Sequence, residues 1–243
     1  MKENQIIGEL VARDYRTASV FKKYSIDFCC QGNRTIEEAC EKKNIDTKKV
    51  LEDSVAMMEA KSESTTDYQS WPLDLLADYI EKKHHRYVQE KTLEIQPYLD
   101  KICKVHGERH PELLEIKEEF NASAGELAAH MKKEELILFP FIRKMTKAKL
   151  ENTKVDAAHF GTVKNPIQMM MNEHTVEGNR FRKIEELSNN YTPPLDACNT
   201  YRVSFALLKE FEQDLHLHIH LENNILFPRA IEIEKELIQN LNA

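Results

Sequence analysis

His130 to Pro140 reads HMKKEELILFP, and His218 to Pro228 reads HIHLENNILFP. Both fit one pattern, H-x-x-x-E-x-x-I-L-F-P, written twice 88 residues apart. Residues four apart in an α-helix differ by about 40° in direction and about 6 Å in height, so each histidine shares a helix face with its glutamate. That face is otherwise apolar. Phe211, Leu215, His218, Glu222 and Ile225 follow the 4-3-4-3 spacing of a core seam, and Phe120, Ala124, Leu127, His130, Glu134, Ile137 and Phe141 follow a similar run of threes and fours. The pattern therefore aims two acids into one interior. A buried carboxylate is costly unless a positive charge meets it, and neither seam holds a lysine or arginine. Duplication of a helical hairpin would explain the repeat, but not two acids kept in apolar seams. A metal ion would resolve the difficulty.

The surrounding sequence favours helices. Of 243 residues, 31% are charged and only 6 are glycine and 8 proline, a composition that suits a soluble, mostly helical protein. Four long helices are expected: from about Ser70 to Val105, from His110 to near Lys147, from Asn165 to a turn at Asn189–Pro194, and from about Asp196 towards the C-terminus. Pro97 is a place for a bend, and Pro228 is expected to bend or break the last helix. Short connections make neighbours antiparallel, so the predicted fold is all-α, an up-down-up-down four-helix bundle behind a small helical N-terminal domain. The expected boundaries are 1–58 for the small domain, 59–71 for a polar linker and 72–243 for the bundle. In the small domain, Thr35 and Glu38 have capping-box spacing. Gly32 supplies a turn residue just after Cys29 and Cys30, which places these thiols between helices.

Two more histidines suit the centre. His174 lies in the third seam, with Ile167, Met171, Gly178 and Phe181, and the first helix carries His84 and His85. With His85, the histidines at 85, 130, 174 and 218 are spaced by 45, 44 and 44 residues, which sets all four at one level of an up-down bundle. Periodicity pulls the other way: Leu73, Ala77, Ile80, His84, Val88 and Ile95 form the apolar face. Four imidazoles and two carboxylates are enough for two metal ions, and nitrogen and oxygen donors suit iron or manganese, with zinc and copper still open. His216 and His220 point about 200° away from His218 and are expected at the surface. His106 and His110 read as turn or capping residues.

Composition also excludes. A formal charge of −7 without a basic stripe argues against nucleic acid. No run approaches the roughly 18 apolar residues of a membrane span. The opening MKENQIIGELVARDYRTA lacks the apolar stretch of a secretion signal, and five scattered cysteines suggest a reducing cytoplasm rather than a disulfide framework.

At these residues the chain resembles the iron-centre repair family of di-iron proteins, whose main domain is a haemerythrin-type bundle. The resemblance runs nearly the whole length. It includes Ile26-Asp-Phe-Cys-Cys-Gln-Gly32, Lys104-Val-His-Gly107 with His110-Pro111, Glu173-His174, Tyr191-Thr-Pro-Pro194 with Ala197-Cys198, and Leu221-Glu-Asn-Asn224. Gln31 departs from it, standing where relatives often have glycine. The resemblance implies two iron ions with an oxo or hydroxo bridge, His85, His130, His174 and His218 as terminal ligands, and Glu134 and Glu222 as bridges. It also favours His85 over His84. It implies repair of iron–sulfur clusters damaged by nitrosative or oxidative stress, by iron donation, with damaged iron–sulfur proteins as partners. Nitric oxide and dioxygen are the implied small ligands, and Cys29 and Cys30 the thiols for iron transfer or nitric oxide. Whether the chain is an enzyme stays open, because a nitric oxide reductase and a gas-binding carrier or sensor fit the same residues. So does a homodimer.

Overall fold

The computed structural model describes residues 2–60, 66–156 and 158–241; residues 61–65 of the expected linker lie outside them. Among the described residues there is no strand, only the isolated bridges Ile6–Thr35 and Ala158–Gly161. The chain is all-α, with a four-helix bundle preceded by small helices. Among the described residues no helix is long and apolar enough to cross a membrane.

The first helices are short: α1 (Ile7–Arg13), α2 (Ala18–Lys23), α3 (Ile36–Glu41) and α4 (Thr47–Glu59). Thr35 opens α3 with the expected capping box, its hydroxyl accepting from Glu38 N–H at 3.1 Å while Glu38 accepts from Thr35 N–H at 2.9 Å. Helix α5 (Leu73–Tyr79) continues through a π-helical turn, Ile80–His85, into α6 (Arg86–His106). Helix α7 (Glu112–Lys133) likewise passes through a π turn, Glu134–Leu138, into α8 (Phe139–Glu151). Helix α9 (Lys164–Leu187) has no such turn. Helix α10 (Asn199–Leu221) passes through Glu222–Leu226 into α11 (Phe227–Leu241).

The chain divides into two compact units. One is Ala77–Phe141 with Lys164–His218 and contains the bundle of α6, α7, α9 and α10. Its core is aromatic at the centre: Phe211 meets Phe120 edge-on at 5.3 Å and stacks on Phe181 at 5.5 Å, contacts of about 0.5–1.5 kcal/mol each beyond burial. The turn after α9 puts Asn189, Asn190 and Tyr191 at positive φ, a conformation asparagine tolerates best.

The other unit is Met1–Leu76, Ile142–Val163 and Ile219–Ala243. Leu10, Phe21, Ile36 and Val50 are fully buried in it. Gly8 N–H donates to Gly32 carbonyl at 2.7 Å, and a β-carbon on Gly8 would sit 2.3 Å from Asn224 Oδ1. A β-carbon on Gly32 would sit 2.3 Å from Phe28 carbonyl. Gly32 is thus required for close approach, not for the positive φ that a turn position suggested.

The π turns explain why helical periodicity misplaced several residues. A π turn widens the helix by one residue, so the buried face resumes one position later. After Glu134 the buried residues are Leu138, Phe139 and Ile142, while Ile137 of the expected seam is 39% exposed. On the first helix both His84 and His85 are buried, which dissolves the conflict between them. The repeated tail I-L-F-P also gains a meaning. Phe139 N–H bonds to Glu134 carbonyl and Phe227 N–H to Glu222 carbonyl, each reaching back five residues. Proline follows both times, and the helix continues through Pro140 and Pro228 rather than breaking. In a plain α-helix a proline ring collides with the carbonyl four residues back, at a cost of about 3 kcal/mol; the wider turn relieves that collision.

Deleting Leu136, an exposed residue of the second π turn, leaves Phe139 four residues from Glu134 and restores a plain α-helix around Pro140. The thermal midpoint of the metal-free protein should fall. Adding Pro140→Ala to the deleted chain should recover most of the loss. No recovery in the melting curves would mean that the π turn does not serve the proline.

Candidate metal centre

The repeat places His130 and Glu134 one helical turn apart, with His130 Nε2 3.3 Å from Glu134 Oε2. Helix-spacing alone produces that pair. From the first helix His85 Nε2 approaches the same Oε2 at 3.4 Å. His174 Nε2 lies 3.0 Å from His130 Nε2, and the rings of His85 and His218 are 5.0 Å apart. Two donor groups result: His85, Glu134 and His218, and His130, Glu134 and His174, with the donor atoms of each within 4.8 Å of one another. Glu134 belongs to both. Each of these side chains is at least 97% buried. Glu222, the counterpart of Glu134 in the repeat, opens the third π turn four residues after His218 and is fully buried.

The outer contacts settle which way the imidazoles face. His130 Nδ1 donates to Glu173 Oε2 at 2.8 Å, and His85 Nδ1 to Glu135 Oε1 at 3.0 Å. The bond from His130, with Lys133 beside it and against the effect of burial, holds the Glu173 carboxyl down at about 2. Burial pushes Glu135 up, but Lys132 and His85 outweigh it and leave the carboxyl below its ordinary value. Both acids are therefore ionised acceptors, and the ring protons sit on Nδ1. A neutral ring protonated there turns the Nε2 lone pair inward. Two such lone pairs then face one carboxylate oxygen, and a third ring nitrogen stands close by. Protonating the rings instead would set like charges about 3 Å apart between His130 and His174. A bound cation suits this donor set. Imidazole oriented by an outer carboxylate is how metal-ligating histidine is ordinarily held, and the groups contain only nitrogen and oxygen donors, which suit iron or manganese.

His84 belongs to neither group. Its Nδ1 bonds Asp214 Oδ2 at 3.0 Å and its ring stacks on His218 at 5.6 Å. Sequence reasoning placed His84 beside the site or in the core, but gave Glu135, Glu173 and Asp214 no role, although Glu135 and Glu173 stand directly beside Glu134 and His174 in the chain. It also missed Glu177. That buried acid takes a hydrogen bond from Ser123 hydroxyl at 2.5 Å, and burial pushes its carboxyl up against the pull of Ser123 and Arg180.

In the other unit, Asp27 Oδ1 accepts from the N–H groups of Cys29, Cys30 and Gln31 at 3.1, 2.9 and 3.3 Å. The turn so formed brings the two sulfurs to 3.7 Å, and Asp27, Cys29 and Cys30 offer donor atoms close enough together to hold an ion. The contact with Cys30, and then burial, pushes the Cys29 thiol well up. Asn223 and Asn224 donate their side-chain amides to the carbonyls of Cys29 and Phe28, both at 3.2 Å. His220 is buried, not at the surface as its helix face suggested. It lies against Tyr15 and Phe28, and its Nδ1 meets Asn224 at 2.9 Å. Burial pushes its imidazole down to about 3.

The haemerythrin HHE cation-binding domain family matches residues 76–230, and a domain of unknown function (DUF542) matches residues 3–54. The chain is 35% identical over 231 residues to the iron-sulfur cluster repair protein YtfE of Yersinia pestis (strain Pestoides F), covering 95% of this chain and 98% of that protein. It is 34% identical, with the same coverage, to the protein of that name in Yersinia pseudotuberculosis serotype IB (strain PB1/+).

Glu173→Gln should weaken metal binding by about 10–100-fold, as loss of an outer carboxylate does elsewhere, with helix content unchanged. His85→Ala should lose metal, whereas His84→Ala should lose mainly packing stability. Chelator-competition titrations with circular dichroism test both. Metal lost from His84→Ala and kept by His85→Ala would exchange the roles of the two histidines.

Proposed function

The chain belongs to the family of iron–sulfur cluster repair proteins, and on that premise we propose that it holds two iron ions and repairs damaged clusters by donating iron. His85, His130, His174 and His218 are the terminal ligands in this reading, and Glu134 and Glu222 the two acids shared between the ions. The observation that carries it is the position of Glu134, one carboxylate common to two buried groups of histidines. When bound, the iron pair supplies Lewis-acid and redox chemistry to the site.

The chain's own residues then have distinct tasks. Glu135 and Glu173 hold His85 and His130 with Nε2 inward. Burial keeps water away from the donors. Hard imidazole and carboxylate donors hold ferrous iron less firmly than thiolates do, so cysteines of a damaged cluster can draw iron away as it is released. Among the described residues, Asp27, Cys29 and Cys30 form the one group of three or more such donor residues that contains thiols. We assign them the transfer step. The partners this reading requires are iron–sulfur proteins damaged by nitrosative or oxidative stress in the cytoplasm.

Reactivation of a nitric-oxide-damaged iron–sulfur enzyme, measured with time and per bound iron, tests the proposal. Glu134→Ala should bind less iron and restore little activity. Cys29→Ser with Cys30→Ser should keep the iron and restore activity several-fold more slowly. Full reactivation by iron-depleted Glu134→Ala would end the donation reading. An unchanged rate in the double-serine protein would end only the role given to the thiols.

A further inference from the structure

Several motifs that the metal centre does not use meet at another place in the bundle. His106 closes α6, His110 follows in the next turn, and Asp196, Cys198 and Tyr201 come from the segment that opens α10. His106 lies 21 residues beyond His85, about 30 Å along the helix at ~1.5 Å per residue, so this cluster is separate from the carboxylate–imidazole groups. His106 Nε2 is 3.2 Å from Cys198 Sγ. The imidazole is 96% buried, and among the described residues its Nδ1 has no hydrogen-bond partner, so its polar contact is the thiol at Nε2. Cys198 itself is exposed.

The rest of the cluster fixes that approach. Tyr201, almost fully buried, packs its ring edge-on against His106 at 5.3 Å and against His110 at 5.7 Å. Asp196 accepts from His110 Nε2 at 3.0 Å and pairs with Arg109 at 2.7 Å, which ties the α10 entry to the turn after α6. Cys198 stands immediately before α10, and its carbonyl receives the Arg202 N–H at 3.1 Å. Serine, threonine, aspartate or asparagine stabilises a helix start better than cysteine does, so stability does not account for a thiol here. The His106 imidazole stands within reach of the Cys198 thiol proton.

We propose that Cys198 and His106 form a reactive thiol–imidazole pair, a modification site that takes up small-thiol disulfides. His106 accepts the thiol proton, and the Cys198 sulfur attacks one sulfur of the disulfide. The disulfide S–S bond breaks as the new S–S bond to Cys198 forms. The departing thiolate takes the proton back from His106, so the small disulfide is reduced to one free thiol and Cys198 is oxidised to a mixed disulfide. The other thiols are poorer candidates. Burial pushes Cys40 and Cys103 up, and Cys29 is buried against Cys30. Cys30, half-buried, is the competitor that matters.

The test uses the full chain with glutathione disulfide in limiting amount, the adducts being located and timed by peptide mass spectrometry. Cys198 should form the mixed disulfide first, about tenfold faster than Cys30 or Cys103. His106→Asn should slow Cys198 by about as much and leave Cys30 unchanged. The unsubstituted chain alone can overturn the proposal, whatever becomes of the variant: adduct on Cys30 as early as on Cys198 would do so. So would an unaltered Cys198 rate in folded His106→Asn.

Discussion

A carboxylate with no exposed surface, Glu134, sets the terms for the bundle. Removing an ion of this kind from water costs several kcal/mol even after the protein relaxes, more than any one packing contact returns. The chain answers with imidazoles rather than with lysine or arginine. Imidazole is the choice that creates further demands, because a ring must be told which nitrogen carries its proton. Glu135 and Glu173 do so from outside, and Lys132 and Lys133 pair with those acids in turn. One buried acid thus accounts for a layered set of polar groups, neutral imidazole, then carboxylate, then ammonium, from the interior to the surface.

Much of this was legible from residue spacing. The histidine–glutamate repeat, four helices, the capping box and the apolar seams all follow from local spacing, chiefly the 3.6-residue periodicity of a helix. What periodicity could not supply was its own interruption. It placed Ile137 in the core, where the π turn instead buries Leu138 and Ile142. It forced a choice between His84 and His85 that the backbone does not make. The tail of the repeat held the clue, since a proline within a continuing helix needs some accommodation.

Other residues were hidden because their surroundings come from distant parts of the chain. His220 reads as a surface residue on its own helix, and only Tyr15 and Phe28, some 200 positions earlier, make it a buried one. His106 and Cys198 are 92 residues apart and share no periodic pattern. Family likeness marked the strings around both, but gave neither a task. Side chains that meet across loops carry no local signature, whereas ligands on helix faces do.

The turn holding Cys29 and Cys30 is gripped by its backbone. Asp27 takes three of its N–H groups, and Asn223 and Asn224 take two of its carbonyls. None of these five bonds depends on a cysteine side chain. The turn is therefore a socket whose contents can be exchanged while its walls stand. Selenium, a hydroxyl or a bare methyl group could occupy either position in the same backbone frame, which makes the pair a chemically programmable element of an otherwise fixed scaffold.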